Sequence, residues 1–552
     1  MASYQLSAPF DLEPTHSWSP QESAAFERFG PRAILAICSD RALKWLQARV
    51  TAGDEQTIAN TVHRLALDST GKFSFGRDTL PTQNLDPDFK TAREYGRAFF
   101  ECRADSYFEI VKQDDFEERL HRHFDPQAAP DLDPSWHALR NTIYALGSRL
   151  FLADKGYDPK VIHNHAWYYF EKALSAYSQI LFSSQKDLVG IQALTLMSFF
   201  AENIVTFRVE YILCSTAVRL AQALGLNHEQ GQARRSHFSD SDRRIRIWWA
   251  LYCYDKLISL RDGRPSCIDD DDISCPLPTP RAGENIDKFN AFLFTILHAQ
   301  LSSKIYRRIL SAKAWCGSGD EQRQVIRAEL ERELYHWRDS LPPWLRPGVP
   351  AKSSTIPEGV HIDSVVYIHY AFYGSMIAIY NQYPWDDLTF PSGLIAAQSQ
   401  YMADCREKVV GAARNIILAT KYHRIDSNTT SCLVFAYPLM AVTALLVNIL
   451  QFPMATSAQL DVVLLDVAAR HFAKLELATS NQVEVQFARD IANIARRKVE
   501  DVKENLWAEV APSNAAMVGL PDAELYGDMT NMRLDFMDFL SDDTNATSTW
   551  HP

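Results

Sequence analysis

Glycine is scarce in this 552-residue chain: 21 residues, well under the usual share of roughly 7%. That argues against a glycine-rich β fold and against a dinucleotide-binding α/β enzyme, whose phosphate turns need glycine. Cysteine is present but unpaired in sequence. The nine cysteines (Cys38, Cys102, Cys214, Cys253, Cys267, Cys275, Cys316, Cys405, Cys432) include no C-x-x-C pair, which speaks against a disulfide framework and a structural zinc site built from local ligands. Positive charge is in deficit: 56 Lys and Arg against 68 Asp and Glu, a net charge of −12. A chain of this sign has no bulk electrostatic pull toward phosphate. Met1 to Pro9 has no basic stretch followed by an apolar run, so no secretory signal is read there, and a reducing compartment is the expectation. Phosphate-binding loops, G-x-S-x-G and H-E-x-x-H are all missing. No strand-like alternation persists, and no repeat of fixed period is found.

What is there is apolar and helical. Apolar residues make up 47% and charged residues 22%, ordinary values for a packed protein, and the length suits about two to four compact units. Helical spacing predicts helices over 135–153, 160–182, 186–206, 208–224, 239–261, 285–314, 323–337, 359–382, 396–420, 431–450, 457–478 and 484–507. Shorter ones are expected over 22–38, 39–50 and 55–67. Gly225 stands where a left-handed helix end is needed, with Leu226 to cover the last turn. Ser239 and Asp242 have capping-box spacing. The fold class is therefore all-α. It is divided into an N-terminal segment (1–88), a core (89–345), a C-terminal helical part of the same body (346–510) and an acidic tail (511–552). Ser431 to Gln451 carries no charge and is long enough to span a bilayer. Pro438 and Asn448 interrupt it, so a buried core helix is expected.

Candidate chemical sites are few. The run Asp269 to Asp272 lacks the alternation, glycine and late glutamate of a calcium loop, and reads as a solvated or capping segment. His121 with His123, and His163 with His165, stand two apart, which on a helix does not share a face for a metal. Arg243, Arg244, Arg246 and Arg496, Arg497, Lys498 are basic clusters read as solvated helix faces, with nuclear import or phosphate contact as the rival readings. No catalytic residue, cofactor or metal is expected. A rival reading places a ligand or catalytic site near Trp248, Trp249 and Tyr252.

The tail carries a more specific signal. Residues 521–552 hold seven acids and one base, half the net charge of the chain. Met532, Phe536, Phe539 and Leu540 fall on one helical stripe, with Asp535 and Asp538 interleaved. That composition fits a segment that folds into a partner's groove, as activation segments do. A last helix docked on the body fits equally well.

The stretches AVRLAQALGLNHEQ (217–230) and DRRIRIWWALYCYDKLISLRDGRPSCIDDDDISCPLP (242–278) resemble the core of the fungal-specific transcription factor regulatory domain. The matching elements, in order, are Leu224-Gly225-Leu226, Arg243 to Trp249, Asp255, Gly263-Arg264-Pro265, Asp269 to Asp272 and the prolines from Pro276. Further likeness lies in 106–120, 187–200, 329–347 and 369–385, so the resemblance covers roughly 100–510. It implies an all-α regulatory domain, a nuclear location, transcription machinery or a DNA-bound regulator as partner, and homo- or heterodimers and a small-molecule effector as further options. Such proteins usually begin with a six-cysteine binuclear zinc cluster that reads DNA as a dimer. The first 100 residues here hold one cysteine, Cys38. Zinc binding and autonomous DNA binding are therefore not carried over. A coregulator, a gene whose upstream zinc-cluster exon is missing from the sequence, and a scaffold turned to another use all remain open.

Overall fold

The computed structural model describes residues 35–70, 87–102, 108, 110–183, 188–203, 207–229, 238–311, 313–314, 320–351, 353–381, 396–423, 425, 432–478 and 486–510. The tail residues Met532, Asp535, Phe536, Asp538, Phe539 and Leu540 lie outside them. The described residues are helices joined by turns and extended segments, with no strand among them. In chain order the α-helices are α1 (Asp40–Gln47), α2 (Glu55–Thr70), α3 (Phe89–Cys102), α4 (Gln113–Phe124), α5 (Pro134–Asp154), α6 (Pro159–Ser175), α7 (Tyr177–Leu181), α8 (Leu188–Asn203), α9 (Phe207–Ala223), α10 (Phe238–Asp262), α11 (Ile286–Ile305), α12 (Asp320–Ser340), α13 (Ile362–Tyr380), α14 (Ala396–Ala419), α15 (Tyr437–Gln451), α16 (Ala458–Ala478) and α17 (Gln486–Val510).

Local sequence explains many of the helix starts. Asp133 and Asp158 each stand before a proline, and their carboxylates accept from the backbone N–H of Ser135 (2.9 Å) and Lys160 (2.8 Å). Asp-Pro thus supplies the cap and a first residue whose missing N–H costs nothing. Asn285 caps α11 through Asp287 and Lys288, both at 3.0 Å. Helix α10 begins at Phe238, which places Ser239 inside it, and Asp242 pairs with Arg246 and Arg281.

The apolar faces bury into two clusters. The first gathers α3 to α10 and the front of α11, as far as Ala299. The second gathers the rest of α11 from Leu301, α12 to α17, and also Leu35 to Ala66 from the beginning of the chain. The first helices therefore pack with the last. Asp54 pairs with Arg497 at 2.7 Å and Arg64 with Asp490 at 3.1 Å. The clusters meet along α11, and Phe207 of α9 packs into the second. Two π-helical segments interrupt the helices near this junction: Tyr306–Leu310, directly after α11, and Cys432–Ala436, directly before α15.

Among the described residues two helices are long and apolar enough to cross a membrane, Ile362–Tyr380 and Leu433–Gln451, and 78% and 94% of their apolar windows are buried inside the protein. The second was legible as an uncharged run. The first hides Asp363 in its opening turn.

Candidate functional site

The long helix α10 carries charged and aromatic side chains down one face, and nearly all of them grip the extended chain that follows it. Arg246 is fully buried. Its guanidinium donates to both oxygens of Glu284 (2.8 and 2.7 Å), to Asp242 (3.2 Å) and to the Thr279 carbonyl (3.1 Å). One turn on, the Trp249 indole donates to the Pro276 carbonyl at 2.7 Å. The Tyr252 hydroxyl donates to Asp270 at 3.0 Å. Asp255 accepts from the Cys267 N–H at 2.9 Å and from the Ser266 hydroxyl. Lys256 donates to the Ile268 carbonyl at 2.7 Å, and Ser259 to the Arg264 carbonyl at 2.7 Å. The spacing 246, 249, 252, 255/256, 259 is the helical i, i+3/i+4 row. A segment without regular structure needs partners for its backbone groups, and this row supplies them.

The turn before α10 completes the clamp. At the end of α9, Gly225 has φ +68°. Its N–H donates to Gln222 O (2.9 Å), and that of Leu226 donates to Ala221 O (3.0 Å), the paired bonds of a Schellman end. Leu226 is buried and Leu224 packs on the first cluster. Asn227 then accepts from the N–H groups of Ser274 and Cys275, both at 2.9 Å. Arg244 donates to the Leu224 carbonyl at 3.0 Å. At the far end Gly263, φ +64°, closes α10. Arg264 lies over the Tyr211 ring at 4.8 Å, and Pro265 leads into the crossing.

These contacts correct two expectations. Arg246 is not on a solvated face, because Glu284 and Asp242, 38 residues after it and four before it, fold onto it. The acid run is not wholly solvated either. Asp269 caps the turn Asp270–Asp272, but Asp270 is half-buried beside Lys256 at 3.1 Å, and Ser303 donates to it at 2.5 Å. Two of the other basic residues pair with carboxylates: Arg243 with Asp115 (2.6 Å) and Arg496 with Asp466 (2.6 Å). Trp248, Trp249 and Tyr252 are packed into the core. Within each pair the two histidines have separate contacts: His121 packs on Phe89 and His123 on Phe124, while His163 stacks on Trp167 and His165 bonds the Tyr95 hydroxyl at 2.8 Å. Among the described residues no group of three His, Cys, Asp or Glu is placed to hold a metal ion. Cys38 is buried, its thiol directed at the Val62 carbonyl.

The opposite face of α10 holds an ionic cluster that sequence reasoning missed. Arg261 donates to Glu210 of α9 at 2.8 Å and to Asp262 at 2.7 Å. The Tyr254 hydroxyl lies within hydrogen-bonding distance of Glu210 (2.8 Å), Glu202 (3.1 Å) and the Ser198 carbonyl (3.2 Å). Burial pushes the Glu210 carboxyl up to about 8, against the pull of Arg261. The signal in the sequence that could have revealed Glu202 is a glutamate at the end of the otherwise apolar run LVGIQALTLMSFFAEN. Arg261 also lies over Phe207 at 4.6 Å, and so links the cluster to the seam between the two cores.

Comparison with known proteins meets this same region. Residues 97–339 match the model of the fungal specific transcription factor domain. This stretch of the chain is similar to that domain. It is 31% identical over 365 residues to ABC-transporter-regulating transcription factors of Aspergillus fumigatus and Aspergillus oryzae, a match over 63% of this chain and 40% of each of theirs. It is 23% identical to the fusaridione A cluster transcription factor of Fusarium heterosporum, over 66% of this chain and 69% of that one. The chain thus spans 40% of the length of the Aspergillus relatives. The clamp lies wholly inside the matched domain.

Proposed function

We propose that this chain regulates transcription in a fungus, with the helical body as scaffold and the acidic tail as the contact for the transcription machinery. The match over residues 97–339 to a transcription factor domain carries the reading. The clamp supports it. Its buried charges are spent on holding one chain segment against another, as suits a rigid body that transmits binding. The location is the nucleus. The chain acts as a regulator or as a coregulator recruited by a DNA-bound partner. The gene set is metabolic, and the names of the Aspergillus relatives extend it to ABC transporters.

The test fuses residues 511–552 to a heterologous DNA-binding domain in front of a reporter. We expect activation that Phe536→Ala with Phe539→Ala abolishes, because these rings form the stripe a partner groove would bury. A silent wild-type fusion would sink the role of the tail. Deletion of the gene with transcript profiling tests the target set: unchanged transporter and metabolic transcripts would count against it.

A further inference from the structure

A hydroxyl residue stands directly before proline at two places in the chain, Ser19-Pro20 and Thr279-Pro280, and the second lies among the described residues. It sits near the end of the crossing, in the stretch CPLPTPRAG (275–283). The prolines at 276, 278 and 280 fix their own backbone angles and bias the residues before them, Cys275, Leu277 and Thr279, toward extended backbone. Residues 273–281 accordingly form no helix, strand or turn. Thr279 is exposed, and so are Pro276, Leu277, Pro280, Ala282 and Gly283 around it, while Pro278 is buried. The Thr279 carbonyl is held by the Arg246 guanidinium at 3.1 Å. The clamp therefore grips the backbone of this stretch and leaves Thr279 at the surface.

An exposed, extended Thr-Pro pair is what a proline-directed protein kinase reads. Such an enzyme takes its substrate as an extended segment, and proline after the hydroxyl brings no backbone N–H that would need an acceptor there. We propose that Thr279 is a phosphorylation site for a kinase of this class. The Thr279 hydroxyl oxygen attacks the γ-phosphorus of ATP. The new O–P bond replaces the bond to the ADP leaving group, and the hydroxyl proton passes to a carboxylate of the kinase. The product carries about −1.5 to −2 charges and three acceptor oxygens. It stands beside a balanced set of ions. Arg246 holds Glu284 and Asp242. Arg281 donates to Asp242 through its side chain (2.6 Å) and to Glu284 through its backbone N–H (2.7 Å). Two guanidinium groups thus meet two carboxylates. The phosphate adds acceptors that compete for these guanidinium groups and charge that repels the carboxylates. Phosphorylation thereby loosens the clamp where the crossing enters α11. This inference does not rest on the transcriptional role.

The experiment incubates the dephosphorylated full chain with ATP and a mitogen-activated protein kinase, and maps the phosphate by peptide mass spectrometry. A synthetic peptide of residues 273–285 serves as the control for an active enzyme. The expected result is one phosphate on Thr279 of the folded chain. Pro280→Ala should slow labelling of Thr279 by about tenfold or more, because the alanine N–H has no acceptor in the kinase. Pro280 is exposed, so this variant keeps the packing of the wild type. Labelling of the peptide with none on Thr279 of the chain would overturn the proposal, as would labelling that Pro280→Ala leaves undiminished. If Pro280→Ala does not fold, the mapped position on the wild-type chain decides it. Hydrogen exchange then reads the consequence. Phosphorylation should speed exchange over 273–285 by about tenfold while α13 and α15 keep their rates. Unchanged exchange over 273–285 would overturn the effect on the clamp.

Discussion

The two cores solve the same packing problem with different groups. In the first, Arg246, Lys256, Asp255, Glu210 and Arg261 are buried as charges or charge partners. In the second, α13 and α15 are apolar nearly all round, and the buried polar groups include the histidines His298, His369, His423 and His471 along with the Arg414–Asp461 pair. The difference follows from what each encloses. The first core must hold an irregular crossing, residues 264–285, whose backbone lacks a ladder. Charged side chains on α10 complete it. The second stacks helix on helix, whose backbone groups are satisfied internally, so apolar contact suffices. The buried ions Arg246 and Lys256 mark irregular backbone, whereas Arg261–Glu210 and Arg414–Asp461 join helix to helix.

The largest expected effect breaks the clamp. Arg246→Ala leaves the Glu284 carboxylate without its guanidinium, while Asp242 keeps Arg281, and should cost about 3–5 kcal/mol. Hydrogen exchange should show protection over 264–285 falling before that of α13 and α15. Equal loss everywhere would argue against the contrast drawn between the cores.

A glycine in each core allows a matched test. A Cβ at Gly147 would stand 2.0 Å from the Tyr95 carbonyl oxygen, against the backbone of α3. At Gly374 the obstacle is the Tyr437 side chain. Gly147→Ala should therefore cost about 3 kcal/mol, the upper end for overpacking. Gly374→Ala should cost nearer 1 kcal/mol, because a ring can shift where a backbone cannot. Denaturant midpoints of the two variants check the order; a reversed order would mean that Tyr437 is the more rigid obstacle.

pH should separate the cores by sign. Burial holds Glu210 up to about 8 from an ordinary 4.5, so between these values the folded state keeps a proton that the unfolded chain has lost. Its contribution therefore falls as pH rises through that window. Burial pushes His298, His369 and His471 down to about 4 from 6.5. The unfolded chain takes up protons first, so their contribution falls as pH drops from 6.5 toward 4. Melting temperatures between pH 4.5 and 8.5 should flatten on the alkaline side in Glu210→Gln and on the acid side in His471→Gln. An unchanged profile in either variant would remove that group from the account.

The smallest effect is expected where the ends of the chain meet. Arg497 is 46% exposed in its pair with Asp54. Arg497→Ala should lower stability by no more than about 1 kcal/mol, with the change in melting temperature as the readout. A larger loss would mean that α2 and α17 depend on this pair more than on their apolar contact.

Much of the secondary structure was legible. Gly225 with Leu226 and the stop at Gly263 are local chemistry, and most of the expected helices from 135 onward fall close to their expected bounds, while the one expected over 22–38 lies mostly outside the described residues. The misreadings share a cause. Residues 285–314 read as one helix, yet α11 stops at Ile305 and a π turn follows, because helical periodicity does not distinguish an inserted residue from a continuing helix. Arg246 sits in a triplet of arginines that looks exposed, and its burial depends on Glu284 arriving from 38 residues away. The signature residues were found by resemblance, while their shared task of holding the crossing was not.

The scarcity of glycine and the helical spacing of apolar residues determined, by themselves, that the described chain is all-α, since both act within a few residues. Which charges are buried, which helices share a core, and that the first helices close on the last were decided by tertiary structure. Those outcomes depend on groups tens to hundreds of residues apart, as with Asp54 and Arg497, and no local pattern encodes the meeting of such partners.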